Sequence, residues 1–296
     1  MKVVIVGCGD IGARTARRWQ ARGATVEGIV RSRAGAQRLQ TLGIVPLVVD
    51  LDEPASLSRL EVTEALVYYF APPPAQGSVD TRIRNFLAAV EGQRAARFVY
   101  LSTTGVYGDH GGELVSESTV PNPRTDRGRR RLDAERAVLT WSKHSGTPAV
   151  ILRVGGIYGP GRLPLDRIRA GIPVLHEHLA PATNRIHADD LGAVCEAAGL
   201  RGQAGRVYNV SDGQAGNMTQ YFYAIADAAG LPRPPAVDWD EAQRSMSAGM
   251  LSYLRESRRL DTCRMQQELR VSLRYPTLEQ GLASCPELSA RGAQGS

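Results

Sequence analysis

The sequence predicts an α/β protein: a doubly wound parallel sheet with a smaller C-terminal substrate lobe. Three observations carry that expectation. An apolar run, "KVVIV", leads straight into Gly7, Gly9 and Gly12 in G-x-G-x-x-G spacing. Short β-rich runs recur from there to Val210, and capping or amphipathic segments separate most of them, the pattern of repeated βα units.

"KVVIVG", "TVEGIV" and "VPLVVD" read as the first three strands, and "ALVYYF", "RFVYLST", "PAVILRV" and "RVYNV" as those that follow. Right-handed crossovers should join them. Thr125 or Asp126 can cap a helix running to about Ser145, where Gly146 supplies a stop and Pro148 follows. Arg127, Arg131 and Glu135 then share one helix face at i, i+4 and i+8. After Ile157 the pattern turns irregular and rich in Gly, Pro and Arg, and after Gly213 helix signals mix with "LPRPPAVDW". The expected organisation is a nucleotide-binding domain over 1–156 and 186–212, a second lobe over 157–185 and 213–288, and a disordered tail over 289–296.

A chain of 296 residues with 43% hydrophobic content can bury a substantial core. The net charge of +6 raises nucleic acid as a partner, but the basic residues interleave with Asp and Glu, and the arginines of "RTDRGRRR" spread around a helix axis. A solvated arginine-rich surface is expected, with no nucleic-acid partner. The first apolar run is too short for a signal peptide or a membrane span, so a cytoplasmic protein without a membrane partner is expected. Cys8, Cys195, Cys263 and Cys285 show no C-x-x-C spacing, which argues against a zinc ribbon or a disulfide framework. Lysine occurs only at Lys2 and Lys143.

The glycine turn is the dinucleotide fingerprint of a Rossmann fold. Gly7 makes the tight turn, Gly9 lets backbone approach a pyrophosphate, Gly12 permits close helix–strand packing, and Asp10 and Ile11 open the helix on which the anion rests. An acidic residue about 20 positions further on would accept hydrogen bonds from the ribose of NAD. Arg31 stands there instead. Arginine cannot accept those bonds, but its planar cationic fork suits a phosphate. Arg31, Ser32 and Arg33 are therefore expected to grip the 2′-phosphate of NADP(H), preferred over NAD(H); the competing reading is that the two arginines are surface charges. Asp50, after the third strand, can accept from the adenine amine, and Leu51, Ala71 and Pro72 join it as expected cofactor contacts.

"YLSTTGVYGD" (100–109), "ILRVGGIYGPGR" (151–162), "IHADDLG" (186–192) and "VYNVSDG" (207–213) resemble, in order and spacing, the extended short-chain dehydrogenase/reductase superfamily of the NAD(P)-dependent epimerase/dehydratase type. The resemblance implies a Rossmann domain completed by the strand near Val207–Val210, a smaller C-terminal lobe, a sugar-like or nucleotide-sugar substrate, and a homodimer through the long helices after the fourth and fifth strands. It also implies a working set: a Ser or Thr that orients substrate, a Tyr that acts as acid/base, and a Lys four residues on that lowers the phenol's pKa and holds the nicotinamide ribose. Thr103 falls on the hydroxyl position. Counting back from Glu135, which matches a glutamate that often follows the Lys by four, puts Arg131 at the Lys position and Arg127 at the Tyr position. An arginine stays protonated, so Arg127 cannot trade a proton, although Arg131 can still hold a ribose or phosphate. "RGRRRLDAE" and "RVGGIYGPGR" are similar to a bacterial branch of atypical members, the YeeZ-like branch.

Two functions from different classes follow. One is an NADP(H)-dependent oxidoreductase, or an epimerase/dehydratase-like enzyme, acting on a small sugar-like or carbonyl substrate. There Thr103 orients the substrate and Tyr107 or Tyr158 supplies a phenol, with simple packing of both rings as the competing reading. The other is a cofactor-binding sensor or scaffold without hydride chemistry, motivated by the missing Tyr and Lys. His187, Asp189 and Asp190 are read as capping the following helix, with no metal expected. Arg153 and Arg185 fit either an anion contact or a buried salt bridge.

Overall fold

The computed structural model of the chain describes residues 1–214 and 216–289. From Ala290 on, the expected tail lies outside the described residues. The seven expected strands form one parallel sheet: β1 (Lys2–Val6), β2 (Thr25–Val30), β3 (Val45–Val48), β4 (Leu66–Tyr69), β5 (Arg97–Thr103), β6 (Ala149–Val154) and β7 (Val207–Val210), in the spatial order 3-2-1-4-5-6-7. The order reverses between β1 and β4, and the crevice beyond the strand ends at such a switch point is where this fold takes its ligand. β4 and β6 are buried along their whole length, as strands covered on both faces must be. β3 lies at one edge of the sheet. It tolerates Pro46, which has no ladder N–H to give, and leaves Val45 and Val48 exposed.

Helices α1 (Asp10–Gln20) and α5 (Ala188–Arg201) cover one face, where Val3, Ile5, Trp19, Leu152, Leu191 and Val194 share a core. The Trp19 indole N–H donates to the Tyr68 hydroxyl at 2.9 Å, and that hydroxyl donates to the Cys195 carbonyl at 3.0 Å, so the buried polar atoms of the two rings are satisfied. α2 (Arg33–Thr41) follows β2. α3 (Thr81–Ala89) and α4 (Asp126–Ser145) cover the opposite face over Val4, Val67, Tyr69, Phe86, Phe98 and Val138. α4 has the expected ends: the Thr125 hydroxyl accepts from the Gly128 N–H at 3.2 Å, and Gly146 takes the left-handed conformation at φ +68°. Among the described residues no helix is long and apolar enough to cross a membrane.

The second lobe gathers α6 (Met218–Ala228), α7 (Ala248–Leu254) and α8 (Leu278–Ala283). Its core joins Tyr158, Leu165, Ile168 and Val174 from one segment to Phe222, Ile225 and Leu282 from the other. Val174–Leu175 pairs in parallel with Ala236–Val237 and ties the two segments together. The expectation that 213–288 lies wholly in this lobe is corrected. Arg259–Leu260 pairs with Leu114–Val115, and Met265 and Leu269 are buried in the α1/α5 core, because their apolar side chains complete the sheet domain's own face.

Candidate functional site

The glycine turn is shaped by contact as much as by φ. At Gly7, φ is +76° and a Cβ would stand 2.5 Å from the Ala71 nitrogen, so β1 can pass the end of β4 only with glycine there. A Cβ on Gly12 would press on Cys8 Sγ and Ile5 Cγ2 at 3.1 Å, whereas one on Gly9 would meet nothing nearer than 3.9 Å. Gly9 caps α1 without a side-chain acceptor, which leaves the helix's first N–H groups free for an anion, the arrangement a pyrophosphate needs. Asp10 does not face that anion alone: its carboxylate accepts from Arg14 Nε at 3.0 Å and from Arg162 Nε at 2.6 Å. Partial burial would raise the Asp10 carboxyl, but the Arg162 and Arg14 hydrogen bonds and charges outweigh it and hold it below its usual range.

Gly7, Arg31, Asp50, Leu51, Ala71 and Pro72 line one cavity of about 220 Å³, walled by Ile29, Val30 and Val49. Its apolar walls and polar rim suit the adenosine half of a dinucleotide. Ser32 and Arg33 do not line it. The Ser32 hydroxyl accepts from the Gly35 N–H at 3.1 Å and caps α2, whose first residue is the exposed Arg33. Two arginines that no spacing rule singled out stand nearby, one in the cavity wall and one on the glycine turn. Arg82 of α3 lines the cavity, with Nε and Nη2 donating to the Asp52 carboxylate at 2.8 and 2.6 Å and Nη1 to the Pro72 carbonyl at 3.2 Å. Arg38 Nη2 donates to the Cys8 carbonyl in the glycine turn at 2.8 Å.

A second cavity, of about 400 Å³, shares Pro72 with the first. Thr103 and Gly105 enter it from the end of β5, Arg127, Arg130 and Arg131 from the first turns of α4, and Asn184, Tyr253, Glu256 and Arg258 from the far side. Gly128 makes this geometry: a Cβ there would stand 2.8 Å from the Gly105 carbonyl oxygen, so α4 docks directly on the turn behind Thr103. The Thr103 hydroxyl accepts from the Gly105 N–H at 3.2 Å. Arg127 is exposed, its guanidinium 5.9 Å from the centre of the Tyr253 ring. Arg131 Nη1 donates to the Tyr100 hydroxyl and to the Leu101 carbonyl, both at 3.1 Å. Burial pushes the Tyr100 phenol up to about 12 even beside that cation. Arg130 Nη1 donates to the Gly77 carbonyl, and Arg258 Nη1 to the Gly108 carbonyl at 2.7 Å and to Glu256 at 3.0 Å.

The two phenols expected in the site are elsewhere. Tyr107 is fully buried, donates to Asn209 Oδ1 at 2.7 Å, and lies 4.8 Å under the Arg153 guanidinium. Tyr158 packs edge-on against His187 and Tyr221 and donates to the Thr277 carbonyl at 3.3 Å. Burial raises both phenols, and neither ring lines the cavity, so packing accounts for them. The phenol that does line it, Tyr253, was missed, because "MLSYLRES" carries no motif.

Arg153 pairs with Glu135 at 2.7 Å, both side chains buried, and the Ser102 hydroxyl donates to the same carboxylate. Its role is the salt bridge. Arg185 forms no salt bridge among the described residues: it donates to Thr183 Oγ1 at 2.7 Å and the Asn217 carbonyl at 3.0 Å and lies 4.2 Å over the Tyr221 ring. His187 Nδ1 accepts from the Asp189 N–H at 3.2 Å and caps α5, while Asp190 accepts the N–H groups of Arg274 and Tyr275.

Asp212 shares a small cavity with Arg185. Burial pushes its carboxyl up to about 6, against the Gln214 N–H bond and the Arg185 charge. A folded-state value raised above the unfolded one favours the folded state in acid, and that contribution is lost as pH rises from about 4 through 6. Asp212→Asn is therefore expected to gain melting temperature relative to the parent between pH 4 and pH 7.5. An offset that stays constant across that range contradicts this assignment.

A parallel sheet in this order, a glycine turn under its switch point and a second lobe over the strand ends define the class, an NAD(P)-binding Rossmann protein of the extended short-chain dehydrogenase/reductase kind. Residues 3–211 match the model of the NAD dependent epimerase/dehydratase family, and the chain belongs to that family. It is 28% identical over 289 residues to Protein YeeZ of Escherichia coli (strain K12), across 93% of this chain and 96% of YeeZ. Among solved structures it resembles a functionally unknown conserved protein from Silicibacter pomeroyi DSS, at 30% identity over 98% of both chains with a TM-score of 0.81. Its fold also matches UDP-glucose 4-epimerase with UDP-glucose from Thermotoga maritima, at 18% identity over 99% of both chains with a TM-score of 0.81.

Proposed function

We propose that the protein is an NADP(H)-dependent oxidoreductase, or an epimerase-like enzyme using the same hydride chemistry, on a sugar-like or carbonyl substrate. The observation that carries this reading is that Thr103 and Tyr253, one from each lobe, line a single cavity adjoining the nucleotide crevice. A nicotinamide cofactor held in the crevice by the glycine turn and Arg31 would supply or accept the hydride. Thr103 orients the substrate oxygen, and the Tyr253 hydroxyl gives a proton to that oxygen as negative charge develops on it, or takes one in the reverse direction. Arg127 cannot do this, but its fixed charge stabilises a developing oxyanion beside it. Preference for NADP(H) rests on Arg31 at the rim of the adenosine cavity, where a carboxylate would serve NAD(H).

The sensor reading keeps one observation in its favour: Arg131 spends Nη1 on Tyr100 and Leu101, so it is a structural cation as well as a cavity wall. Prolonged incubation with NADPH and a panel of aldehydes, ketones and nucleotide-sugars separates the two. The enzyme reading expects substrate-dependent loss of cofactor absorbance above the control without substrate. NADPH binding with no turnover across the panel favours the sensor.

A further inference from the structure

We propose that the cavity beside Thr103 takes a small anionic substrate, a compact carbonyl or hydroxyl compound whose carboxylate or phosphate is held by Arg127, Arg130 and Arg258. The proposal rests on the oxidoreductase reading and names its substrate class. Four guanidinium groups and one carboxylate face this space, and the carboxylate, Glu256, is already bonded to Arg258. Among the described residues no carboxylate lies within ion-pair distance of Arg127, Arg130 or Arg131. Arg130 and Arg258 are 7% and 8% exposed, and each keeps an Nε with no hydrogen-bond partner. Arg258 has Glu256 beside it, but Arg130 is a largely buried cation with no carboxylate partner, and an anion in the cavity would compensate its charge.

Size narrows the class. At about 400 Å³ the cavity is near the lower end of ligand sites, roughly 300–1,000 Å³, and it must also admit the reactive end of the cofactor. That leaves room for a compact molecule rather than the whole of a nucleotide-sugar. Carboxylate and phosphate are matched equally by guanidinium forks, so the shared chemistry is the anion. The departure at position 127 then has a reason. A fixed cation stands where the family resemblance implies a phenol, and a phenol from Tyr253 lies within cation–π range of that cation.

The test is calorimetric titration of the NADPH-saturated full chain with pyruvate, dihydroxyacetone phosphate, inorganic phosphate and neutral dihydroxyacetone. Saturating NADPH fills the cofactor's own phosphate sites, so anion binding that remains reports this cavity. At least one anion should bind about tenfold or more tighter than dihydroxyacetone, and the carboxylate and phosphate arms tell which group is preferred. Arg127→Gln, an exposed position whose folding is checked by melting temperature, should weaken that anion by about tenfold. Equal binding of neutral and anionic probes, no anion binding, or unchanged anion affinity in Arg127→Gln overturns the proposal. Failure of NADPH itself to bind overturns the parent reading instead.

Discussion

Tyr253→Phe is expected to lower NADPH-dependent turnover by about 10²–10⁴-fold, with a much smaller change in KM, because it removes a proton donor and leaves the shape of the cavity. Each competing phenol is committed elsewhere. Tyr100 accepts from Arg131, Tyr107 donates to Asn209, and Tyr158 donates to Thr277. Tyr107→Phe and Tyr158→Phe should therefore lose stability rather than chemistry, Tyr107→Phe more clearly, since Asn209 Oδ1 would lose its donor in a buried site. Full turnover in Tyr253→Phe would remove the second lobe from the proton step.

Glu135→Ala should destabilise the fold by about 3–5 kcal/mol, measured by urea unfolding, because it leaves the Arg153 cation buried and uncompensated. The two side chains are 3% and 6% exposed, so solvent offers little relief, and Arg153 Nη1 already lacks a partner. Replacing both residues with methionine should recover most of the loss, since an apolar pair of similar volume carries no charge to desolvate. The consequence reaches the site, because Glu135 also accepts from Ser102, the residue before Thr103 on β5. A loss below about 1 kcal/mol for Glu135→Ala would mean that water or a shift of Arg153 already satisfies the pair.

The parts of this molecule that were legible in its sequence are those whose causes are local. The glycine turn, the apolar strand runs and the Thr125 cap each act within a few residues, and all three stand where the pattern puts them. Arg31 and Asp50 line one cavity because the ends of parallel strands converge on one crevice. Ser32 caps α2 and Arg33 opens it, so neither lines the cavity that Arg31 enters. Tyr107 and Tyr158 follow strands in loops that read as open, yet their rings turn inward to partners brought from positions 209 and 277. Tyr253 enters the site only because the second lobe folds over the strand ends, a contact without local trace. For the same reason Arg153 and Arg185 looked alike in sequence: one meets a glutamate from α4 and the other an aromatic face.

The central claim is that Arg31 and the glycine turn make this crevice an NADP(H) site, and calorimetric titration of the nucleotide-stripped chain with NADPH and then NADH tests it most directly. The account predicts NADPH binding at least about tenfold tighter than NADH, with the preference lost in Arg31→Glu, since a guanidinium–phosphate bond is exchanged for a repulsion. NADH binding as tightly as NADPH, or an Arg31→Glu variant that keeps the parent's preference, would contradict it.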